Sequence, residues 1–352
     1  MRASEADPWA VVAAVRAGDE SAFAELFERH RRELHVHCYR MLGSFQESED
    51  LVQETFLRAW RRRSTFEGRS TFRAWLYRIA TNACLDVLDR HPRRVYAYDA
   101  TAGTATVEAD PPSAVPWLGP YPDLLLDASA SGAPDPDTVV VAKETIELAF
   151  LVAIQHLPPR QRAVLILRDV LGWSAAETAA LLEGSVASVK SALARARTTV
   201  KGHLPARRDD WATPADPTVE ERALLQRYVD AHERADPNAV AALLADEVRL
   251  TMPPEPVWFV GREAIVGLHT EVFDPASPRF HGRWRGVSTR ANRQPAVTHY
   301  CERPSAEATR ELPGAFKAQV LDVLRIQHGA IVEITSFEPS VFGAFGLPLT
   351  LP

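Results

Sequence analysis

The stretch whose reading decides the fold is LPPRQRAVLILRDVLGWSAAETAALLEGSVASVKSALARAR, residues 157–197. Ser174 stands where a helix needs an N-cap, and Thr178, Ala179, Leu181 and Leu182 then fall on one face. A tight break follows at Glu183 and Gly184. Beyond it Val186, Val189 and Leu193 make a packing stripe, while Ser188, Lys190, Ser191, Arg195 and Arg197 take the faces left free. Apolar residues that hold a helix to its partner, with hydroxyls and cations left for base edges and phosphates, describe a helix-turn-helix and its recognition helix. Any solvated amphipathic hairpin can carry surface charge, but here the charge has one sign. Every charged residue from 184 to 208 is Lys or Arg, in a chain whose formal net charge is -6. A basic element confined to one place in an acidic protein implies a local phosphate-contacting surface.

A second basic region lies nearer the N-terminus. Ten Arg stand against three acids, Glu67, Asp86 and Asp89, between Arg58 and Arg94, interleaved with Trp60, Phe66, Phe72, Trp75 and Tyr77. Aromatics stack on exposed bases while Arg holds the backbone, so the mixture suits a melted single strand better than a closed duplex. Phe72, Leu76 and Ile79 have helical spacing and read as core. Arg69, Ser70 and Thr71 form a polar loop before that helix. Just upstream, QESEDLVQE (46–54) is acidic and opens a helix. Acids in a first turn stabilise the helix dipole. Asp50, Gln53 and Glu54, however, share a face away from the apolar stripe, as a protein-docking surface would.

These residues carry a resemblance. HCYRMLGSFQESEDLVQETFLRAWRRRSTFEGRSTFRAWLYRIATNACLDVL resembles domain two of bacterial RNA polymerase sigma factors of the extracytoplasmic-function group, and the helix-turn-helix with its LPPRQR opening resembles their domain four. The resemblance implies that Asp50, Gln53 and Glu54 dock on core RNA polymerase. It implies that Phe66, Arg69, Ser70 and Thr71 form a pocket for a flipped base of the minus-ten element, with Trp75, Arg78 and Asn82 along the single strand. A flipped base costs a few kcal/mol, returned as sequence information by a pocket that reads its edge. In the recognition helix, Lys190, Ser191, Ala194 and Arg195 match positions that face the minus-thirty-five element, flanked by Ser188 and Arg197. One departure is Glu183, where the family has Gly, with Gly184 one place later.

At 352 residues the chain exceeds what two small sigma domains need. Cys38, Cys84 and Cys301 are odd in number and far apart, so the sequence offers neither a disulfide framework nor a metal site, and no cofactor is expected. No apolar run approaches the roughly 18–20 residues of a membrane span, so no membrane association and a cytoplasmic location are expected.

The expected organisation is domain two at 8–94, a linker at 95–142, domain four at 143–208, a second linker at 209–219 and a third domain at 220–345. The first linker has no Lys or Arg, and its charges are Asp99, Glu108, Asp110, Asp123, Asp127, Asp135 and Asp137. Such a segment reads as a solvated spacer, although VPWLGPYPDLLLD is too apolar for one. By the sigma resemblance the acids mimic RNA in the polymerase channel while Trp117, Leu118, Tyr121 and Leu124 to Leu126 dock on protein.

In the third domain Thr218 and Glu221 make a capping box, and a second helix lies near 238–244. VRLTM, VWFV, a helix at 262–272 and strands at 283–288, 296–301, 319–326 and 331–337 follow, with a turn at 327–329. Helices followed by a curved antiparallel sheet make an α+β cone similar to SnoaL-like domains, behind two all-α sigma domains. Such cones use a carboxylate or His to move protons, which marks Asp246, His269, His299 and Tyr300 as pocket candidates. No pair of groups demands catalysis, and fold analogy assigns no reaction. The expected protein is a transcription initiation factor, not an enzyme, whose third domain regulates it in cis, either binding a small-molecule ligand or touching the sigma domains. Its partners are core RNA polymerase and promoter DNA. A polymerase-independent helix-turn-helix regulator and a DNA-tethered cyclase or isomerase are the rival readings.

Overall fold

Asp19, Ser44 and Thr71 start the helices that carry the N-terminal faces, each accepting a hydrogen bond from the backbone N–H three residues on, at Ala22, Glu47 and Ala74. The computed structural model describes residues 8–66, 71–92, 96–97, 113–115, 117–127, 146–204, 217–255, 257–302 and 315–352. The chain divides into two units. One comprises Met1–Arg93, Leu125–Ala142 and Ala153–His203, the other Arg94–Leu124, Lys143–Val152 and Leu204–Pro352.

In the first unit, α1 (Pro8–Ala17), α2 (Glu20–Leu42), α3 (Phe45–Arg61) and α4 (Phe72–Arg90) pack around an aromatic core. The Phe23 ring lies 5.1 Å from both Phe56 and Trp60 and 6.1 Å from Phe72, separations at which aromatic pairs attract. Beside it lies a buried polar node. Glu33 accepts from Arg73 Nε (2.7 Å) and from Tyr77 Oη (3.2 Å), and His37 shares a 2.9 Å hydrogen bond with Thr81 Oγ1. Burial works to raise the Glu33 carboxyl, but the His30 hydrogen bond and the Arg73 charge outweigh it and hold it below its usual range.

After β1 (Tyr96–Ala97), which pairs antiparallel with β2 (Ser113–Ala114), and α5 (Asp123–Asp127), come α6 (Leu148–Gln155) and α7 (Pro159–Leu165). The latter runs on as one π turn, Ile166–Val170. The helix-turn-helix is α8 (Ala175–Leu181) and α9 (Val186–His203). Ser174 and Glu177 form a full capping box, and Thr178, Ala179, Leu181 and Leu182 are buried as the spacing predicts. Val186 is 41 % exposed, so the α9 stripe is not the expected one; it runs through Val189, Leu193, Ala196 and Val200. Val186 is the first helical residue, before the turn that meets the partner helix.

In the second unit, α10 (Val219–Glu233) begins at the Thr218–Glu221 capping box. It is followed by α11 (Pro237–Ala241), β3 (Leu244–Thr251), β4 (Trp258–Val260) and α12 (Arg262–Phe273). Strands β5 (Arg283–Ala291), β6 (Gln294–Glu302), β7 (Phe316–Gln327), β8 (Ala330–Phe337) and β9 (Thr350–Leu351) complete a seven-stranded sheet in the order β4-β3-β8-β7-β6-β5, with β9 on β7. The sheet is mixed rather than wholly antiparallel, because β3 pairs parallel with β8. Gly286 lets α10 lie close on β5: a Cβ there would stand 2.8 Å from Val229 Cγ1. At the β5–β6 hairpin, Asn292 (φ 54°) and Arg293 (φ 64°) form a two-residue turn with both centres left-handed, the geometry that matches strand twist.

Candidate functional sites

The face expected to dock on protein lies on α3. Asp50 and Gln53 are exposed, and Glu54, half-exposed, accepts from Arg58 Nε at 2.8 Å. Arg58 in turn holds Asp86 at 2.8 Å, so α3 and α4 are braced behind the face. Leu57 is 44 % exposed and completes the i, i+3, i+4, i+7 row with Asp50, Gln53 and Glu54. Sequence reading did not assign it to this face.

The minus-ten group is dispersed. Arg69 and Ser70 lie outside the described residues. Phe66 is only 3 % exposed, its ring 5.4 Å from Phe72 and 5.2 Å from Trp75, so it serves as core in this arrangement. Thr71 caps α4 through its hydroxyl. Trp75 and Asn82 are half-buried, and Arg78 is exposed. Arg78 Nη2 donates to Glu183 Oε1, joining α4 to the turn of the helix-turn-helix within the same unit. Glu183, not Gly184, adopts the left-handed conformation at that turn (φ 53°), so the departure from the sigma pattern sits where glycine is the easier residue. Further ties join α2 to α6 and α7. Buried Arg162, from the LPPRQR segment, donates to the carbonyl oxygens of Met41, Ile154, Gln155 and Leu157. The Tyr77 ring lies 5.5 Å from Trp173.

On α9 every expected minus-thirty-five residue is exposed: Ser188, Lys190, Ser191, Ala194, Arg195 and Arg197. Four are engaged locally. Ser188 and Ser185 cap the helix reciprocally, Arg195 donates to Ser191 Oγ (2.7 Å), and Arg197 grips Asp169 with two hydrogen bonds of 2.7 and 2.8 Å.

The apolar part of the linker packs within the chain itself. Leu118, Tyr121 and Leu126 are buried, whereas Leu124 is 77 % exposed. Within the second unit, Tyr121 and Asp123 meet the β5–β6 turn. Asn292 Oδ1 accepts from Tyr121 N (2.7 Å), Asn292 N donates to Tyr121 O (2.9 Å), and Asn292 Nδ2 donates to Ile146 O (2.7 Å). Asp123 Oδ1 accepts from Arg293 N (2.8 Å), and its carboxylate is 3.4 Å from Arg290. Asp123 is thus buried in an internal ion pair rather than offered as an RNA mimic; Asp99, Glu108, Asp110, Asp135 and Asp137 lie outside the described residues.

Of the cone candidates, the structure brings together two of four. His269 and His299 lie in a buried cluster with His232, Tyr228, Asp322 and Ser336, which sequence reading did not name. Asp246 points outward and pairs with Arg262 at 2.9 Å. Tyr300, next to His299 on β6, faces the other side of the sheet and donates to Pro348 O (3.0 Å). The cluster could not be read from sequence because its members come from α10, α12, β6, β7 and β8.

Residues 26–94 match Sigma-70 region 2, residues 147–200 match Sigma-70 region 4, and residues 225–334 match the SnoaL-like domain. The chain is 40 % identical over 344 residues to the ECF RNA polymerase sigma factor SigG of Mycobacterium tuberculosis, covering 96 % of this chain and 86 % of that one. It is 30 % identical over 190 residues to the ECF RNA polymerase sigma factor SigW of Bacillus subtilis, covering 54 % of this chain and 92 % of that one. The crystal structure of the Mycobacterium tuberculosis extracytoplasmic function sigma factor SigJ superposes with a TM-score of 0.56 at 21 % identity, over 93 % of this chain and 99 % of that one, and supports the fold alone. No helix among the described residues is long and apolar enough to cross a membrane.

Proposed function

Because the chain belongs to the extracytoplasmic-function RNA polymerase sigma factors, which are transcription initiation factors, we propose how its own residues divide the work. Asp50, Gln53 and Glu54, with Leu57, dock on core RNA polymerase. Lys190, Ser191, Ala194 and Arg195 on α9 face the minus-thirty-five element, with Ser188 and Arg197 setting the helix. Arg69, Ser70, Thr71, Trp75, Arg78 and Asn82 face the opened minus-ten strand. The observation that carries this reading is an exposed acidic face on α3 and an exposed basic face on α9 in one unit.

The two promoter elements lie about 25 base pairs apart, on the order of 85 Å at ~3.4 Å per step. A chain whose Arg78 holds Glu183 cannot span them, so the described arrangement is a resting one that opens on the promoter. The Arg78–Glu183 pair is exposed and adds at most ~1 kcal/mol, whereas the buried hydrogen bonds of Arg162 are the stronger tie. The cone acts on this opening in cis, because the β5–β6 turn holds residues 121–123 and 146 of the segments that flank domain four. No catalytic step is assigned to the cone.

Run-off transcription with core polymerase tests the reading. The wild-type chain initiates at a specific promoter; Lys190→Glu with Arg195→Glu abolishes this; Asn292→Ala changes the yield without changing the start site. Duplex binding with no initiation by the wild-type chain contradicts it.

A further inference from the structure

The interior of the cone holds a polar cluster that promoter recognition does not use. His232 on α10, His269 on α12, His299 on β6 and Asp322 on β7 are between 0 % and 6 % exposed. His232 Nδ1 lies 2.9 Å from Tyr228 O, and His269 Nδ1 lies 2.7 Å from Ile265 O. A carbonyl only accepts, so in both rings Nδ1 carries the proton and Nε2 presents a bare lone pair. Those two Nε2 atoms face each other at 3.2 Å. Two neutral imidazoles repel in this arrangement unless a cation sits between them.

The remaining groups converge on the same place. His299 Nε2 lies 3.3 Å from Asp322 Oδ2, and neither ring nitrogen of His299 has a hydrogen-bond partner among the described residues. Ligating atoms of His232, His299 and Asp322 all lie within 4.8 Å of one another. The His232 and His299 ring centroids lie 4.3 Å apart. Asp322 is oriented by Tyr228 Oη (2.9 Å) and Ser336 Oγ (2.6 Å), both donating to it. Histidines whose second nitrogen is fixed by a backbone carbonyl, beside a hydrogen-bonded carboxylate, are the usual surroundings of a protein-bound metal. Two imidazole nitrogens on one tetrahedral zinc, each at ~2.0–2.1 Å, stand about 3.3 Å apart.

We propose that His232, His299 and Asp322 bind one divalent first-row transition ion of the Zn2+ class inside the cone, with His269 beside His232 at its edge. Imidazole nitrogens with one carboxylate oxygen suit such an ion better than Ca2+ or Mg2+, which take oxygen ligands. The rival occupant is a proton shared by His232 and His269. The Asp322 carboxylate then offsets one of the ion's two positive charges in a buried site. The site is independent of how the chain engages polymerase.

The test is made on the full-length protein after chelator dialysis, titrated with Zn2+ by calorimetry and with Co2+ by absorption. The expected result is one ion per chain, intense tetrahedral Co2+ bands, and a raised thermal midpoint of the cone on loading. His299→Gln and Asp322→Asn lose stoichiometric binding. Tyr228→Phe, which removes only a hydrogen bond to the carboxylate, keeps the stoichiometry and weakens affinity by about tenfold; it covers the case in which a ligand variant fails to fold. Absence of stoichiometric Zn2+ and Co2+ binding by the folded wild-type chain overturns the proposal. So does unchanged binding in a folded Asp322→Asn protein, or a proton found between His232 and His269 in Zn2+-saturated protein.

Discussion

The two faces proposed to meet nucleic acid are prepared differently. On α9 all the expected residues are exposed, and their local bonds shape the helix without hiding it. On the α4 side Phe66 is buried among other rings, Trp75 leans on it, and Arg78 is held by Glu183. A duplex reader needs only a rigid helix that projects side chains, and so it can be finished before DNA arrives. A strand-opening reader must receive unstacked bases on apolar surface, and in water that surface packs against itself first. The difference teaches that exposure marks the first face and burial the second.

The sharpest way to break this comparison is Phe66→Ala. As core, the ring carries about 3–5 kcal/mol of domain stability, read by chemical denaturation; unchanged stability would return it to the status of a free pocket. Lys190→Glu with Arg195→Glu should do the opposite, leaving the thermal midpoint unchanged while holoenzyme binding to the promoter falls by about 100-fold, on a scale of ~1–3 kcal/mol per lost contact.

Acid should weaken the α4 side. Burial lowers His37 to about 3 and His35 to about 4, in His37 with help from the Arg40 and Arg73 charges and against Glu33, in His35 with help from Arg31. The unfolded chain takes up these protons near pH 6.5, the folded one only near 3 to 4. Stability is therefore full above pH 6.5 and falls as pH drops, by up to ~1.4 kcal/mol per pH unit for each ring. Urea midpoints between pH 7.5 and 5 check this, and His37→Asn should flatten the slope.

The smallest effect concerns the contact between the faces. Glu183→Gly relieves a left-handed residue, about 1 kcal/mol, and removes an exposed ion pair of ~0–1 kcal/mol, so net stability moves by less than ~1 kcal/mol. Arg78 is released, and promoter opening should quicken; unchanged opening kinetics would mean that Glu183 does not restrain it.

Much of the fold was legible because its signals are local. The capping boxes at Ser174 and Thr218, the helix-turn-helix and the order of cone elements all lie within a few residues of their cause. What escaped depends on partners distant in the chain. Phe66 read as a base stacker because its neighbours Phe72 and Trp75 are visible only once α4 folds back. Asn292 was not singled out, because nothing local shows that its turn is buried against Tyr121 and Ile146. Asp246 was named and Asp322 was not, because the sequence gives no sign of which strand carboxylate is buried.

The most direct test of the central claim is run-off transcription from one promoter by core polymerase with the full-length chain and with a form ending at residue 209. Initiation by both from the same start site, in clearly different yields, is the predicted result. Equal yields would contradict control in cis by the cone.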